Sequence, residues 1–444
     1  VIVGFRVNSN SLEYFPFLTE GTTLHLNPKS GTLFFNGVPN NLCFTSTEFA
    51  KYCSGKYKFK EILSMLQLND LESFEILSFV SYAIESGWLG LSRNPVSSQF
   101  RVTGSRTAFY PPHMVIELTE ACNLMCSYCY RESEFDKQGH MPVEILLGLL
   151  EKLWTLGLRS VELTGGEPLL NEGFEEIIDL CLNKFFLTGL LTNGTLLSEK
   201  FDDKFIEAKH KVILSVSLDA STPEVHDARR GIVGAFKKTV SNIKRLADLG
   251  VRIRVSMVVD DDNFSEIENT LLLAKKLGAV AFSYTPVLPF GRAKEGYSNN
   301  WRMDAKEVEK IEKRLFKTYG GFLTELSEEN KSDIEGEAGC GAGYRSFTMD
   351  PWGNVRPCAT YGTEELVFGN LLNQSPEQVF SHPAIFAMSD LKTPSHMFCS
   401  ECDQFYFCRY CSLRGIHRSK NVSSCNWKKQ KAFEDIEPFW NKPQ

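Results

Sequence analysis

The sequence predicts an α/β protein: a partial (β/α)6 barrel, preceded by a winged-helix-like α+β module and followed by a loop-rich, cysteine-dense domain. Three observations predict it. Residues 113–290 alternate strand-like and helix-like segments six times, the pattern of a parallel sheet with right-handed crossovers. Of 13 cysteines, ten crowd into two zones, 122–129 and 340–425. The length of 444 residues exceeds what one hydrophobic core normally organises.

Residues 1–95 read as a separate module. Strand-like runs at Thr22–Leu26 and Thr32–Phe35 flank the turn-rich Asn27-Pro28-Lys29-Ser30-Gly31. Helical segments follow at Ser46–Cys53, Phe59–Leu68 and Leu71–Ser86; Ile76, Leu77, Val80 and Ile84 give the last its apolar face, and Gly87 a stop. The Ser-, Pro- and Arg-rich stretch from Arg93 reads as a linker, assigned to 96–112.

The barrel is assigned to 113–300. Its strands are expected at Met114–Leu118, Ser160–Leu163, Leu187–Leu191, Lys211–Leu218, Val251–Val259 and Val280–Tyr284. Helices are expected between them at Val143–Leu156, Gly173–Asn183, Ser198–Ala208, Ala235–Leu249 and Phe264–Leu277. No glycine-rich GxGxxG turn follows the first strand, which disfavours a dinucleotide fold. A β/α barrel places its chemistry at the C-terminal strand ends. A charged helix at Asp304–Glu329, within 301–338, is expected to bridge to the last domain, 339–444. There Gly, Pro and Cys become frequent and long helices disappear, so metal is expected to supply stability.

Composition excludes several classes. Forty-eight Lys and Arg against 55 Asp and Glu give a net charge of −7, without the basic surface that sequence-independent nucleic-acid binding needs. Mean hydropathy is −0.19, and no run of about 18 apolar residues predicts a membrane span. Val1–Arg6 are not a signal peptide's charged start and apolar core. Clustered thiols in a large chain without an export signal read as metal ligands in a reducing compartment, so a cytoplasmic location is expected.

The first cysteine zone, Cys122-x3-Cys126-x2-Cys129, leaves the C-terminal end of the first barrel strand. Three thiolates on one loop can hold three irons of a cubane and leave the fourth open for a ligand; a closed zinc site wants four protein ligands. With Tyr128 as its aromatic, this loop resembles the signature of the radical S-adenosylmethionine (SAM) superfamily. Gly165-Gly166-Glu167-Pro168 after strand two resembles that family's GGE motif, whose backbone meets the SAM amino group. Ser217-Leu218-Asp219 resembles the segment contacting the ribose and methionine end of SAM. His226-Asp227-Ala228-Arg229-Arg230-Gly231 resembles an HDxxRG stretch, in which Arg230 can pair with the SAM carboxylate. Taken singly, each has a plain reading: a zinc site, a turn, a helix cap. The resemblance implies a [4Fe-4S] cluster that binds SAM and reductively cleaves it to methionine and a 5′-deoxyadenosyl radical, which abstracts hydrogen from an unactivated carbon.

The second zone reads Cys340-x12-Gly353-x4-Cys358, then Cys399-x2-Cys402-x5-Cys408-x2-Cys411, then Cys425. It resembles the seven-cysteine SPASM domain, so the C-terminal domain is expected to be an iron–sulfur domain with two auxiliary [4Fe-4S] clusters, three in all. The resemblance implies that Cys399, Cys402, Cys408 and Cys425 close the distal cluster and Cys340, Cys358 and Cys411 hold the nearer one. Arg409-Tyr410 is one residue shorter than the family's spacing, and Ile334–Glu337 stand where some relatives have a further cysteine. Either the nearer cluster keeps an open or non-cysteine site, with Glu335 and Glu337 close by, or the short spacing reshuffles the ligands. Zinc-ribbon spacing is the alternative for the paired cysteines. Cys43, Cys53 and Cys181 lie outside both patterns and read as packing residues.

Phe49–Leu63 is similar to part of the PqqD-like precursor-recognition domains, with Ser54 in place of the family's aspartate. That resemblance implies a leader peptide bound by β-augmentation; a structural cap or a nucleic-acid-binding winged helix is the alternative. Tyr284–Ala293 resembles the strand-six exit of several SPASM enzymes and is expected to line the pocket. Together these resemblances imply a cytoplasmic peptide maturase, an oxidoreductase that forms a C–S or C–C cross-link or another oxidation in a ribosomally made precursor. It would be reduced by a flavodoxin or ferredoxin, with no nucleic-acid or membrane partner. A sulfatase-type Ser/Cys maturase, a tetrapyrrole-modifying enzyme and a non-enzymatic iron–sulfur carrier or regulator remain alternatives.

Overall fold

The computed structural model describes residues 9–288, 290–293, 305–323, 341–361, 365–402, 405–408, 410–419, 422 and 424–440. The chain divides into two compact units: residues 1–112 with 152–157, and residues 113–151 with 158–444.

In the first unit, β1 (Phe15–Leu18) precedes a hairpin of β2 (Thr23–Leu26) and β3 (Gly31–Phe35), extended by β4 (Val38–Leu42). Asn27 Oδ1 accepts from the amides of Lys29 (3.0 Å) and Ser30 (2.8 Å), which builds the first turn. Asn36 and Gly37, both at positive φ, build the second. Helices α1 (Phe44–Tyr52), α2 (Phe59–Leu66) and α3 (Asp70–Glu85) follow. The Cys43 sulfur caps α1, and Asn69 with Glu72 forms a capping box on α3. Strand β5 (Leu89–Ser92) pairs with β1, and β6 (Arg101–Gly104) with β2. The expected linker thus contains a strand, giving the sheet order β4-β3-β2-β6. Leu18, Leu24, Leu33, Phe49, Phe59, Ile76, Val80 and Trp88 form a core of the unit's own.

The second unit carries six parallel strands: β7 (His113–Glu117), β8 (Ser160–Thr164), β9 (Leu187–Thr192), β10 (Val212–Ser217), β11 (Ile253–Val259) and β12 (Ala281–Pro286). The helices between them are α4 (Val143–Leu156), α5 (Phe174–Lys184), α6 (Asp202–Glu207), α7 (Pro223–Arg230), α8 (Ala235–Asp248) and α9 (Ile267–Lys276). Strand β11 alternates buried apolar residues with Arg254, Ser256 and Val258, as a strand with one lumen face must. On that face Ser215, Ser256 and Ser283 form a hydroxyl ladder across three strands (2.8 and 3.1 Å), and Arg254 donates to Ser215 (3.0 Å).

The bridging helix α10 is Ala305–Tyr319; residues 301–304 and 324–338 of the expected bridge lie outside the described residues. Strands β13 (Ser346–Met349), β14 (Asn354–Arg356) and β15 (Gly369–Asn370) continue the barrel sheet. The order is β12-β11-β10-β9-β8-β7-β13-β14-β15, with β13 parallel to β7. The partial barrel therefore shares its first strand with the cysteine-rich domain. Short helices complete that domain: α11 (Pro376–Phe380), α12 (Pro383–Asp390), α13 (His396–Cys399), α14 (Phe405–Cys408), α15 (Ser412–Ser419) and α16 (Lys431–Ile436). No helix among the described residues is long and apolar enough to cross a membrane.

Candidate active site

The loop after β7 is fixed by its backbone. The amide of Cys122 donates to Glu134 O (3.1 Å), that of Met125 to Arg230 O (3.0 Å) and that of Ser127 to Arg229 O (3.1 Å). Leu124, Cys126 and Tyr128 share one buried apolar cluster, with Cys122 and Cys129 packed against it. Burial, together with nearby Glu167 and its sister thiols, pushes the Cys122 thiol up to about 12. Burial raises Cys126 as well, against the opposing charge of Arg230. Neutral thiols crowded together become good ligands only when a metal replaces their protons, which is what an iron–sulfur cluster does. A cluster thus fits the three residues.

The glycine pair makes room for this loop. Gly165 sits at φ +140°, and a Cβ on Gly166 would lie 2.1 Å from Ala121 O. The Gly166 amide donates to Thr119 O (2.7 Å) and the Glu167 amide to Ala121 O (2.8 Å), so β8 grips the cysteine loop by main chain. The Glu167 side chain turns the other way and is wholly buried. It accepts from Thr192 Oγ1 (2.7 Å) and from the Asn193 amide (2.8 Å), yet burial raises its pKa to about 7.

Asp219, beyond the end of β10, accepts from the Val258 amide (3.1 Å) and the Tyr128 hydroxyl, and pairs with Arg230 Nε at 2.9 Å. These protein groups occupy both its carboxylate oxygens. Ser217 is half-buried and opposite Ser256 in register. Arg230 Nη1 lies 3.7 Å from Cys126 Sγ, while its buried Nη2 has no hydrogen-bond partner among the described residues. An orphaned guanidinium donor beside the thiols fits a carboxylate-bearing ligand such as SAM.

The rest of the HDxxRG stretch is architectural. His226 Nδ1 accepts from the Asp219 amide (3.1 Å), and burial lowers its pKa to about 4. Asp227 takes the amides of Gly234 (2.6 Å) and Phe236 (2.7 Å) at the start of α8. Arg229 spans both oxygens of Asp260 at 2.7 Å.

Several site residues had not been singled out in the sequence. Asn193 Nδ2 donates to Asn123 Oδ1 (2.9 Å), and Asn123 to Thr195 (2.8 Å), tying the loop to the end of β9. The polar strand-end run Thr192-Asn193-Gly194-Thr195 was the available signal. In the strand-six exit, Arg292 Nε donates to Cys126 O (2.8 Å), its Nη2 to Ser133 O (3.0 Å) and its amide to Cys129 O (3.1 Å). The strand-six exit thus braces the loop backbone; Pro289 lies outside the described residues.

In the C-terminal domain, Cys399, Cys402, Cys408 and Cys425 line one pocket, with Arg418 and Trp427. Burial and the neighbouring thiol of Cys402 push Cys399 up to about 11 and Cys408 up to about 12. Four converging thiols fit a cluster here by the same argument. Between Cys408 and Cys411, Tyr410 takes φ +58°, a left-handed conformation. Cys358 accepts from the Thr360 amide at 3.4 Å; Cys340, Glu335 and Glu337 lie outside the described residues. Cys53 and Cys181 are buried, which with the cap at Cys43 accounts for the remaining thiols structurally.

Residues 116–274 match the radical SAM superfamily model. These residues form a radical SAM domain. Residues 340–403 match SPASM, an iron–sulfur cluster-binding domain. It is similar to the antilisterial bacteriocin subtilosin biosynthesis protein AlbA of Bacillus subtilis (strain 168), 29% identical over 96% of this chain and 98% of that one. It is also similar to the sporulation killing factor maturation protein SkfB of the same strain, 26% identical over 68% and 70%. In fold it resembles Streptococcus suis SuiB bound to precursor peptide SuiA, with a TM-score of 0.64 at 14% identity, covering 94% of this chain and 100% of that one.

Proposed function

We propose that this radical SAM enzyme modifies a ribosomally synthesised precursor peptide, forming a C–S or C–C cross-link or another oxidation. The observation that carries the reading is the convergence of Cys122, Cys126 and Cys129 beside the orphaned Arg230 donor, at the C-terminal ends of the barrel strands. The similarity to AlbA, which spans the N-terminal unit as well, supports a peptide substrate. With SAM and a [4Fe-4S] cluster bound, the site supplies a radical able to abstract hydrogen from an unactivated carbon.

The chain's own residues orient and enclose. Cys122, Cys126 and Cys129 would hold the cluster; the backbone of Gly165, Gly166 and Glu167 would receive the SAM amino end, and Arg230 its carboxylate. Tyr128 and Asp219 keep Arg230 aimed. Ser217 contributes from the end of β10. Cys399, Cys402, Cys408 and Cys425 hold a distal auxiliary cluster. Cys340, Cys358 and Cys411 hold a nearer one that keeps a coordination site for water, a carboxylate or a substrate thiolate, making three clusters. A flavodoxin or ferredoxin supplies electrons in the cytoplasm. In the N-terminal unit, a leader peptide extends the sheet at β4, whose pairing among the described residues is with β3.

The test is production of 5′-deoxyadenosine from SAM under dithionite, with loss of two hydrogens from a peptide encoded beside the gene. Replacing Cys122, Cys126 and Cys129 by Ala abolishes both; deoxyadenosine made by the triple variant refutes the assignment.

A further inference from the structure

We propose that Glu117, Arg131 and Arg356 are positioning residues that couple the SAM-cluster loop to the nearer auxiliary-cluster segment and set the reduction potentials of both. Glu117 is the last residue of β7 and is wholly buried. Arg131 and Arg356 donate to the same oxygen, Glu117 Oε2, and their side chains are 8% and 3% exposed. Arg131 stands two residues after Cys129, and Arg356 two residues before Cys358. One carboxylate therefore bridges two segments that each carry a cluster cysteine, across 239 residues of sequence.

The surroundings fix this junction. Tyr130 Oη reaches Glu117 Oε1 at 3.4 Å, and Arg131 Nη2 reaches Glu120 at 3.5 Å. Arg356 also donates to the carbonyl of Tyr361, and to that of Ala359 at 3.5 Å. Its strand is held in place by Asp350, which accepts from the amides of Trp352 and Asn354 (both 2.9 Å) in the β13–β14 turn. Parallel pairing of β13 with β7 completes the link.

Charges in such a dry site act strongly on their neighbours. Cluster potentials respond to net charge, hydrogen bonding and exposure around the ligands. Removing the Glu117 charge leaves Arg356 without its carboxylate and Arg131 with only Glu120 at 3.5 Å, a gain of net positive charge that favours the reduced form of each nearby cluster. Removing Arg356 acts in the opposite direction. The distal cluster, on Cys399 to Cys425, lies outside the junction and serves as an internal reference.

This inference rests on the cluster assignments above, so iron and sulfide per chain are measured first. If the wild-type holoenzyme lacks the clusters, that assignment fails by itself. The test is an EPR-monitored redox titration of the holoenzyme. In Glu117→Gln, both junction clusters shift to higher potential relative to the distal one. Peptide-independent SAM cleavage then loses kcat at unchanged KM for SAM. In Arg356→Gln the nearer cluster shifts lower, and the double variant returns toward wild type. That opposition of sign is one that loosened packing cannot produce, and the downward shift of the nearer cluster in Arg356→Gln is read even where Glu117→Gln fails to fold. Clusters present with unmoved potentials, or a distal cluster that moves equally, overturn the proposal.

Discussion

Glu167 carries a wholly buried carboxyl whose pKa is raised to about 7. In the unfolded chain the same group releases its proton near 4.5, so between these values the folded state binds more protons. Stability of the cofactor-free protein is therefore reduced by this group as pH rises from about 4.5 to about 7, by about 3 kcal/mol at most. His226 acts in the opposite direction: with a folded pKa near 4, its contribution is present above about 6.5 and lost as pH falls toward 4. Glu167→Gln removes the first effect alone. Urea midpoints at pH 5 and pH 7.5 should show the variant gaining on wild type as pH rises; a constant difference would show that the carboxyl does not titrate there. The motif was legible as a glycine pair followed by an acid, because those residues stand together. Glu117 was not: its partner Arg356 is 239 residues away, and a single acid ending an apolar strand carries no local signal.

At the scale of elements, β7 to β12 were legible because apolar alternation, helical period and short connections agree along residues 113–290. Helix α7 escaped notice because Pro223–Arg230 is mostly polar; its start signal, Thr222 before Pro223, was present. Strand β4 had its own signal in Asn36-Gly37, whereas β6 owes its strand character to pairing with β2, which no local window reveals. The same scale yields two predictions. Gly166→Ala places a methyl 2.1 Å from Ala121 O, main chain against main chain, so neither side can yield. The reconstituted variant should lose one cluster's worth of iron and its SAM cleavage while keeping auxiliary-cluster signals; full iron content would count against the close approach. Tyr410 holds a left-handed backbone at a cost of about 1 kcal/mol for an L-residue. Tyr410→Gly should retain the distal cluster, whereas a β-branched Tyr410→Val should lose it. Equal iron content in the two variants would show that the short Cys408–Cys411 spacing needs no left-handed residue.

For the whole molecule, the division at Pro112 decides where a truncation is informative. A cut at residue 95, the sequence boundary, would strand β6 without β2, and would also orphan Arg106, which donates to the carbonyls of Asn27 (2.6 Å) and Ser30 (2.8 Å). Deleting residues 1–112 removes all of the first unit but residues 152–157, and with it the core built on Leu24, Phe49, Phe59 and Trp88. The cysteine loop, the glycine pair, Asp219, Arg230 and Arg292 are all retained, since each is held by contacts among β7 to β12 and their connections. The truncated enzyme should therefore still make 5′-deoxyadenosine from SAM without peptide. Its KM for full-length precursor should rise at least tenfold, a loss of about 1.4 kcal/mol of leader binding. Supplying the excised unit in trans cannot restore KM unless leader and core are held together, because tethering is what raises the effective concentration of the core at the barrel. A truncated enzyme with unchanged KM for the full-length precursor would move leader recognition off β4 and into the barrel or the cysteine-rich domain.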